Sequence, residues 1–254
     1  MPTVRTGPLL GLATQVAVLG ALALTIGLGP AAWIAGLTFG LVTWAVLHEV
    51  DLGPADRVTL ARATLAGGVL ALTVDSLTRP VPAAGVVPLA AVALSLDAVD
   101  GWVARRTGTS SELGARFDME ADAFLILVLS VLVARPVGPW VLAIGLMRYV
   151  FVGAGLLLPW LRGPIAPRYW SKVVAAIQGI ALLVAASGLL PHGWAVLVLA
   201  VALVLLVESF GRSVGWLWRH RTKEGVGLEF VPGGPVRRRR HPHPALGQRG
   251  DAAA

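Results

Sequence analysis

Residues 97–122 read DAVDGWVARRTGTSSELGARFDMEAD, and they set four aspartates, Asp97, Asp100, Asp118 and Asp122, into a chain that is otherwise mostly hydrocarbon. Ionisable side chains in apolar helices cost several kcal/mol each unless they are paired, hydrated or metal-bound. Four acids alone would repel one another; with one or two divalent cations among them, the same group becomes an attractive cage. Asp97 and Asp100 are three residues apart and Asp118 and Asp122 four apart, so each pair falls on one face of a helix. The residues between the pairs, Arg105 to Leu113, are polar and turn-like. The segment therefore predicts an antiparallel helical hairpin bent near residue 109, with both pairs roughly 10 to 15 Å in from the bend at 1.5 Å per residue. Ligands made only of carboxylate oxygen select hard cations such as Mg²⁺ or Mn²⁺, and the chain has no cysteine to offer a thiolate.

The composition around this hairpin is that of an integral membrane protein. Of 254 residues, 56% are hydrophobic and 14% charged, with a mean hydropathy of +0.75. Soluble domains carry nearer a quarter charged residues. Apolar runs long enough to cross a bilayer recur along the chain, and Pro or Gly-Pro breaks separate most of them, as at Gly29-Pro30, Arg79-Pro80, Arg135-Pro136, Gly163-Pro164 and Leu190-Pro191. The expected fold is all-α with about eight transmembrane helices, near 8–28, 31–48, 57–76, 83–105, 113–134, 138–161, 168–189 and 193–219. The first run is read as a span and not a signal peptide, because a further span follows at once.

Charge supplies orientation. Of 21 Lys and Arg residues, Arg79 and Arg135 fall in loops on one side, and Arg57, Arg105, Arg106, Arg162, Arg168, Arg221 and Lys223 on the other. The positive-inside rule then places both termini and the hairpin bend in the cytoplasm. Trp33, Trp140, Trp160, Trp170, Trp194, Trp216 and Trp218 lie near span ends, where indole is favoured. The formal net charge of +7 sits in loops and tail, which argues for lipid head groups and against a nucleic-acid partner. The stretch 221–254 is rich in Gly, Pro and Arg and is expected to be a disordered basic tail, with Arg237 to Arg240 available to anionic lipid.

The aspartates belong to a longer pattern: Asp97-x2-Asp100-Gly101-x2-Ala104-Arg105-x8-Gly114-x3-Asp118-x3-Asp122. It resembles, at every fixed position and gap, the D-x2-D-G-x2-A-R-x8-G-x3-D-x3-D signature of the CDP-alcohol phosphatidyltransferase family. The resemblance covers residues 54–220 and implies a six-helix core, with residues 1–53 forming two additional N-terminal helices. It also implies transfer of a phosphatidyl or related group from a CDP-linked donor to a hydroxyl acceptor, with release of CMP. The expected localisation is the plasma membrane, multi-pass, with the active site toward the cytoplasm. Expected partners are CDP-diacylglycerol, a small polar alcohol and membrane lipid, and a homodimer is kept open.

Carried over residue by residue, the resemblance gives Asp97, Asp100 and Asp118 to two divalent cations, with Asp122 binding the second metal and acting as general base. Two metals on a pyrophosphate would neutralise charge on the attacked phosphorus and on departing CMP. Gly101 would let the nucleotide approach the backbone, Arg105 would fork onto donor phosphate, and Ser111 would contact the nucleotide. Upstream, PADRVTLAR (Pro54 to Arg62) resembles the family's P-N-x-L/V-T-x-x-R segment, with Asp56 in place of the usual Asn. Thr59 and Arg62 are donor-contact candidates there, with interfacial snorkelling the alternative for Arg62. Downstream, SKVVAAIQ (Ser171 to Gln178) keeps only the first Lys and the Gln of a G-K-x-K-T-x-x-Q segment found in glycerophosphate-using members.

Arg148 lies mid-span, where an unpaired guanidinium is expensive. With Arg168, Lys172 and Arg212 it is expected to form a basic pocket for a phosphorylated acceptor, glycerol 3-phosphate or an inositol phosphate, with inositol, serine or a lipid alcohol as the alternative. Separate snorkelling of these four is the plainer reading. Glu120, Glu208 and His48-Glu49-Asp51 read as solvated or loop residues. A cation transporter is a rival of a different class; it predicts acids near the bilayer midplane on interrupted helices.

Overall fold

The structure, a computed structural model, describes residues 6–50, 52–107, 112–163 and 169–220. Eight α-helices lie among the described residues: α1 (Thr6–Thr25), α2 (Pro30–Leu47), α3 (Pro54–Ser76), α4 (Ala83–Thr107), α5 (Glu112–Val137), α6 (Leu142–Leu157), α7 (Tyr169–Ala186) and α8 (His192–His220). Six helical segments are long and apolar enough to cross a membrane, and Trp170–Ala186 is a shorter apolar helix. Helix α5 is long enough as well, but its first half carries Glu112, Arg116, Asp118, Glu120 and Asp122. The protein is an all-α membrane protein. Its expected tail at 221–254 and the hairpin bend near residue 109 lie outside the described residues.

The sixth helix, expected over 138–161, is broken at both ends into 3₁₀ turns, Pro139–Val141 and Pro159–Arg162. Each turn starts at a proline, which lacks the N–H that a helix interior needs. Helix α3 begins at Pro54, earlier than expected, because Pro54 opens the first turn and the Asp56 carboxylate accepts a hydrogen bond from the Gly53 N–H at 2.9 Å. The aspartate standing where the family usually has asparagine thus closes the helix start and sits at the positive end of its dipole.

Helix α3 is the axis of the bundle: 72% of its span is buried, against 22% for α1 and for α2. Such burial on all sides needs small residues, and Ala63, Ala66, Gly67, Gly68 and Ala71 supply them. At Gly67 a Cβ would come within 2.7 Å of Gln15 on α1 and of Phe39 on α2. On the other side of the bundle, a Cβ at Gly145 would lie 2.6 Å from the Leu127 backbone, so α5 and α6 touch almost main chain to main chain. Leu125, Leu129, Val174, Leu182 and Leu199 join Val69 and Leu72 in one core across α3, α5, α7 and α8.

Two clasps fix α1 and α2 to this core. The Gly29 N–H donates to Asp75 Oδ1 at 3.1 Å, and Arg79 donates to the Gly27 carbonyl. Phe39 of α2 stacks on Phe124 of α5 with ring centroids 4.6 Å apart.

Candidate active site and metal centre

Arg62 leaves the third turn of α3 and is buried, with 2% of its side chain exposed. Its Nη1 donates to Asp97 Oδ1 of α4 at 3.2 Å and to Asp118 Oδ1 of α5 at 2.5 Å, and its Nη2 donates to Asp122 Oδ1. A buried guanidinium is tolerated only with its charge met and its donors filled. Here two helices, α4 and α5, bring carboxylates to one cation on a third. Arg62 is therefore neither at the lipid interface nor open toward a donor; it is the hub on which the acids converge.

The acids outnumber it. Ligand atoms of Asp97, Asp118 and Asp122 lie within 4.8 Å of one another, and three carboxylates against one guanidinium leave a formal surplus of two negative charges. Asp97 is 48% exposed and Asp118 and Asp122 37% each, so the cluster opens to solvent on the side away from Arg62. Oxygens around one Mg²⁺ at about 2.1 Å stand roughly 3 to 4 Å apart. Small side-chain rotations bring this set to that spacing, and its all-oxygen, net-negative chemistry fits a hard divalent cation. Asp100 and Arg105 lie on α4 beside it, but their side chains, like Ser111 and Arg168, are outside the described residues.

Asp122 also faces a second space. A cavity of about 370 Å³ runs between α5, α6, α7 and α8, lined by Asp122, Arg148, Ser171, Gln178, Ser209 and Ser213 among otherwise apolar side chains. Two buried polar atoms in its lining residues have no partner: Arg148 Nε and Gln178 Oε1. The Gln178 Nε2 donates to the Ala202 carbonyl at 2.9 Å, which fixes the amide and leaves its oxygen an unused acceptor.

The family model for CDP-alcohol phosphatidyltransferases matches residues 54–207, more than half of the chain. The chain belongs to the CDP-alcohol phosphatidyltransferase family. No curated protein and no solved structure matches it. Members transfer a phospho-alcohol group from a CDP-linked donor to a hydroxyl acceptor, so a carboxylate cluster beside a pocket able to take an alcohol is the arrangement this phosphatidyltransferase chemistry needs. Helices α1 and α2 precede the matched segment.

Within this phosphatidyltransferase, the other residues singled out in the sequence are distributed unevenly. Thr59 lies one turn before Arg62, buried, with its hydroxyl donating to the Ala55 carbonyl at 3.3 Å. Gly101 follows Asp97 by one turn on α4. Of the four basic residues expected to converge on an acceptor, Arg148 lines the cavity; Lys172 and Arg212 do not, and Arg168 is outside the described residues. Arg148 donates to Glu120, with Nη1 2.9 Å from Met119 Sδ. Arg212 pairs with Glu208 one turn away, and Glu208 also accepts from Trp170 Nε1 at 3.3 Å.

Glu120 and Glu208, read from sequence as solvated, are thus the counter-charges of two of the arginines. The two-residue offset from Asp118 does turn Glu120 off the aspartate face; what it turns toward is α6. Ser209 and Ser213, four apart on α8, went unnoticed because serine in an apolar helix is common and carries no spacing signal of its own.

Proposed function

We propose that this protein is a metal-dependent phosphatidyltransferase that moves a phosphatidyl group from CDP-diacylglycerol to a small hydroxyl acceptor held in the cavity beside Asp122. The observation that carries the reading is Asp122 itself, which belongs at once to the carboxylate cluster and to the cavity wall. Asp97, Asp100, Asp118 and Asp122 would hold two divalent cations, Mg²⁺ or Mn²⁺; when bound, these neutralise charge on the donor pyrophosphate and on the leaving CMP.

The chain's own residues supply the rest. The family pattern supports Gly101, Arg105, Ser111 and Thr59 as contacts of the CDP moiety. Arg62 holds the carboxylates of α4 and α5 in register, so that the site is assembled before substrate arrives. Asp122 takes the proton of the acceptor hydroxyl, whose oxygen bonds to the lipid-side phosphorus as the bond from that phosphorus to CMP breaks. A base so placed contributes typically about 10²- to 10⁴-fold. The Lys and Arg distribution supports a cytoplasmic active site in the plasma membrane.

Arg148 Nε and Gln178 Oε1, a buried donor and a buried acceptor without partners, favour an acceptor with both an anionic group and free hydroxyls: a phosphorylated small alcohol. The Glu120 pairing favours a second reading, an uncharged polyol, for which Arg148 need not change partner. Purified protein incubated with radiolabelled CDP-diacylglycerol, Mg²⁺ or Mn²⁺, and glycerol 3-phosphate, inositol phosphate, inositol or serine separates the two. CMP release with a phosphorylated acceptor alone upholds the first reading and release with inositol or serine alone the second. No metal-dependent release with any of them would overturn the proposed transfer.

A further inference from the structure

Helix α3 carries Arg62 near one end and Asp75 near the other, thirteen residues and so roughly 20 Å away. At this far end α3, α4, α5 and α7 enclose a cavity of about 570 Å³. Its polar lining is Ser76, Thr78, Arg79 and Arg135; Val86, Leu132 and two alanines of α7 contribute an apolar wall. Arg79 is spent on structure. Its Nε donates to Asp75 Oδ2 at 2.8 Å and its Nη2 to the same carboxylate and to the Gly27 carbonyl.

Arg135 is not spent. It is exposed, its Nη1 donates to the Ser76 carbonyl, and no carboxylate among the described residues pairs with it. A guanidinium has five N–H donors in a rigid fork, so one neutral carbonyl leaves both its charge and most of its donors available. The Ser76 and Thr78 hydroxyls donate to the carbonyls of Thr73 and Asp75 at 2.6 and 3.2 Å, so they do not compete with the guanidinium as donors. Two arginines against one aspartate leave the cavity with a formal surplus of one positive charge. The sequence otherwise places its loop cations at the opposite end, so this pair runs against the general distribution.

We propose that this cavity binds a phosphate group, with Arg135 as its principal ligand and Arg79 as a fixed neighbouring charge. Arginine forks match phosphate oxygens, and the room beside Val86 and Leu132 suits a group carried on an apolar stem. The phosphate of a lipid head group and free inorganic phosphate share this chemistry. The site lies away from the aspartates and makes no demand on the transfer reaction.

The test uses the full chain purified in detergent, titrated separately with inorganic phosphate, dioctanoyl phosphatidylglycerol and, as a phosphate-free control, dioctanoylglycerol, and read by native mass spectrometry and calorimetry. Binding at the aspartate end is common to every variant and cancels in the comparison. Arg135→Gln should weaken phosphate-bearing probes about tenfold or more, the loss of one charge-assisted contact, while Arg135→Lys keeps most of the affinity. Weakening of both probes identifies the phosphate group as sufficient; weakening of the lipid alone identifies a lipid source whose stem uses the apolar wall. Arg135→Met serves as a second neutral variant, with the thermal midpoint followed for each. Equal affinity of wild type and both neutral variants for both phosphate probes would overturn the proposal, as would an equal loss for dioctanoylglycerol.

Discussion

The two ends of α3 solve one problem with opposite arithmetic. Around Arg62, three carboxylates meet one guanidinium; around Asp75, one carboxylate meets Arg79, with Arg135 nearby and without an acidic partner among the described residues. In neither case does the helix carry a lone charge into the bundle, which would be prohibitive. The difference lies in the remainder, negative at one end and positive at the other. The groups that carry each remainder are partly or fully exposed, so it can be met from outside. On the proposals above, similar arginine–aspartate pairings serve a cation at one end and an anion at the other.

The largest effect that could break this contrast is on turnover. Asp122→Asn should reduce CMP release by about 10²- to 10⁴-fold while sparing donor binding; a mutant within about tenfold of wild type would remove Asp122 from the base role. Next come the two structural arginines. Arg62→Met and Arg79→Met each leave carboxylates without their guanidinium partner. Both should lower the thermal midpoint in EDTA. Only Arg62→Met should be restored by Mn²⁺, since a cation can replace a lost counter-charge at the aspartate end and binding to the folded state stabilises it. Equal rescue of both, or of neither, would erase the proposed difference between the ends.

A smaller effect tests the cavity beside Asp122. Arg148→Met should raise the acceptor KM about ten- to a hundredfold, as for loss of one charge-assisted contact, and leave the donor KM nearly unchanged. Methionine keeps volume and removes charge, so a folded mutant with unchanged acceptor KM would shift the reading to an uncharged acceptor. Smallest of all, Arg135→Gln should move stability by no more than about 0.5 kcal/mol and leave turnover unaltered, as for an exposed side chain away from the chemistry.

Much of this molecule could be read from its residues in order. Apolar runs and the proline and glycine breaks between most of them placed the helices of the described residues to within a few residues, and the carboxylate spacing put Asp118 and Asp122 on one helix face, where they meet Asp97. Partners across helices were another matter. That Arg62 turns inward onto three aspartates, that Glu120 answers Arg148, and that Asp75 holds the Gly29 N–H all depend on how helices far apart in sequence rotate against one another. No spacing within one helix encodes that rotation; it is set by small residues such as Gly67 and Gly145, whose missing side chains decide which faces can touch. Proline was an uneven guide: Pro139 and Pro159 each open a 3₁₀ turn, whereas Pro88 lies inside α4 and Pro136, expected to break the chain there, lies inside α5.

The clasp at Gly27 and Gly29 bears on the order in which the protein is built. During synthesis α1 and α2 emerge before α3, as a hairpin whose turn still offers an unmet N–H and carbonyl. Asp75 follows forty-six residues after Gly29, and Arg79 comes one helical turn behind it. The acid and its base thus reach the bilayer edge as a neutral couple, and whichever way the chain is threaded neither has to travel as an ion without company. When that couple docks on the waiting turn, it locks this hairpin against α3. The axis of the bundle is then in place to receive the aspartate-bearing helices in their turn.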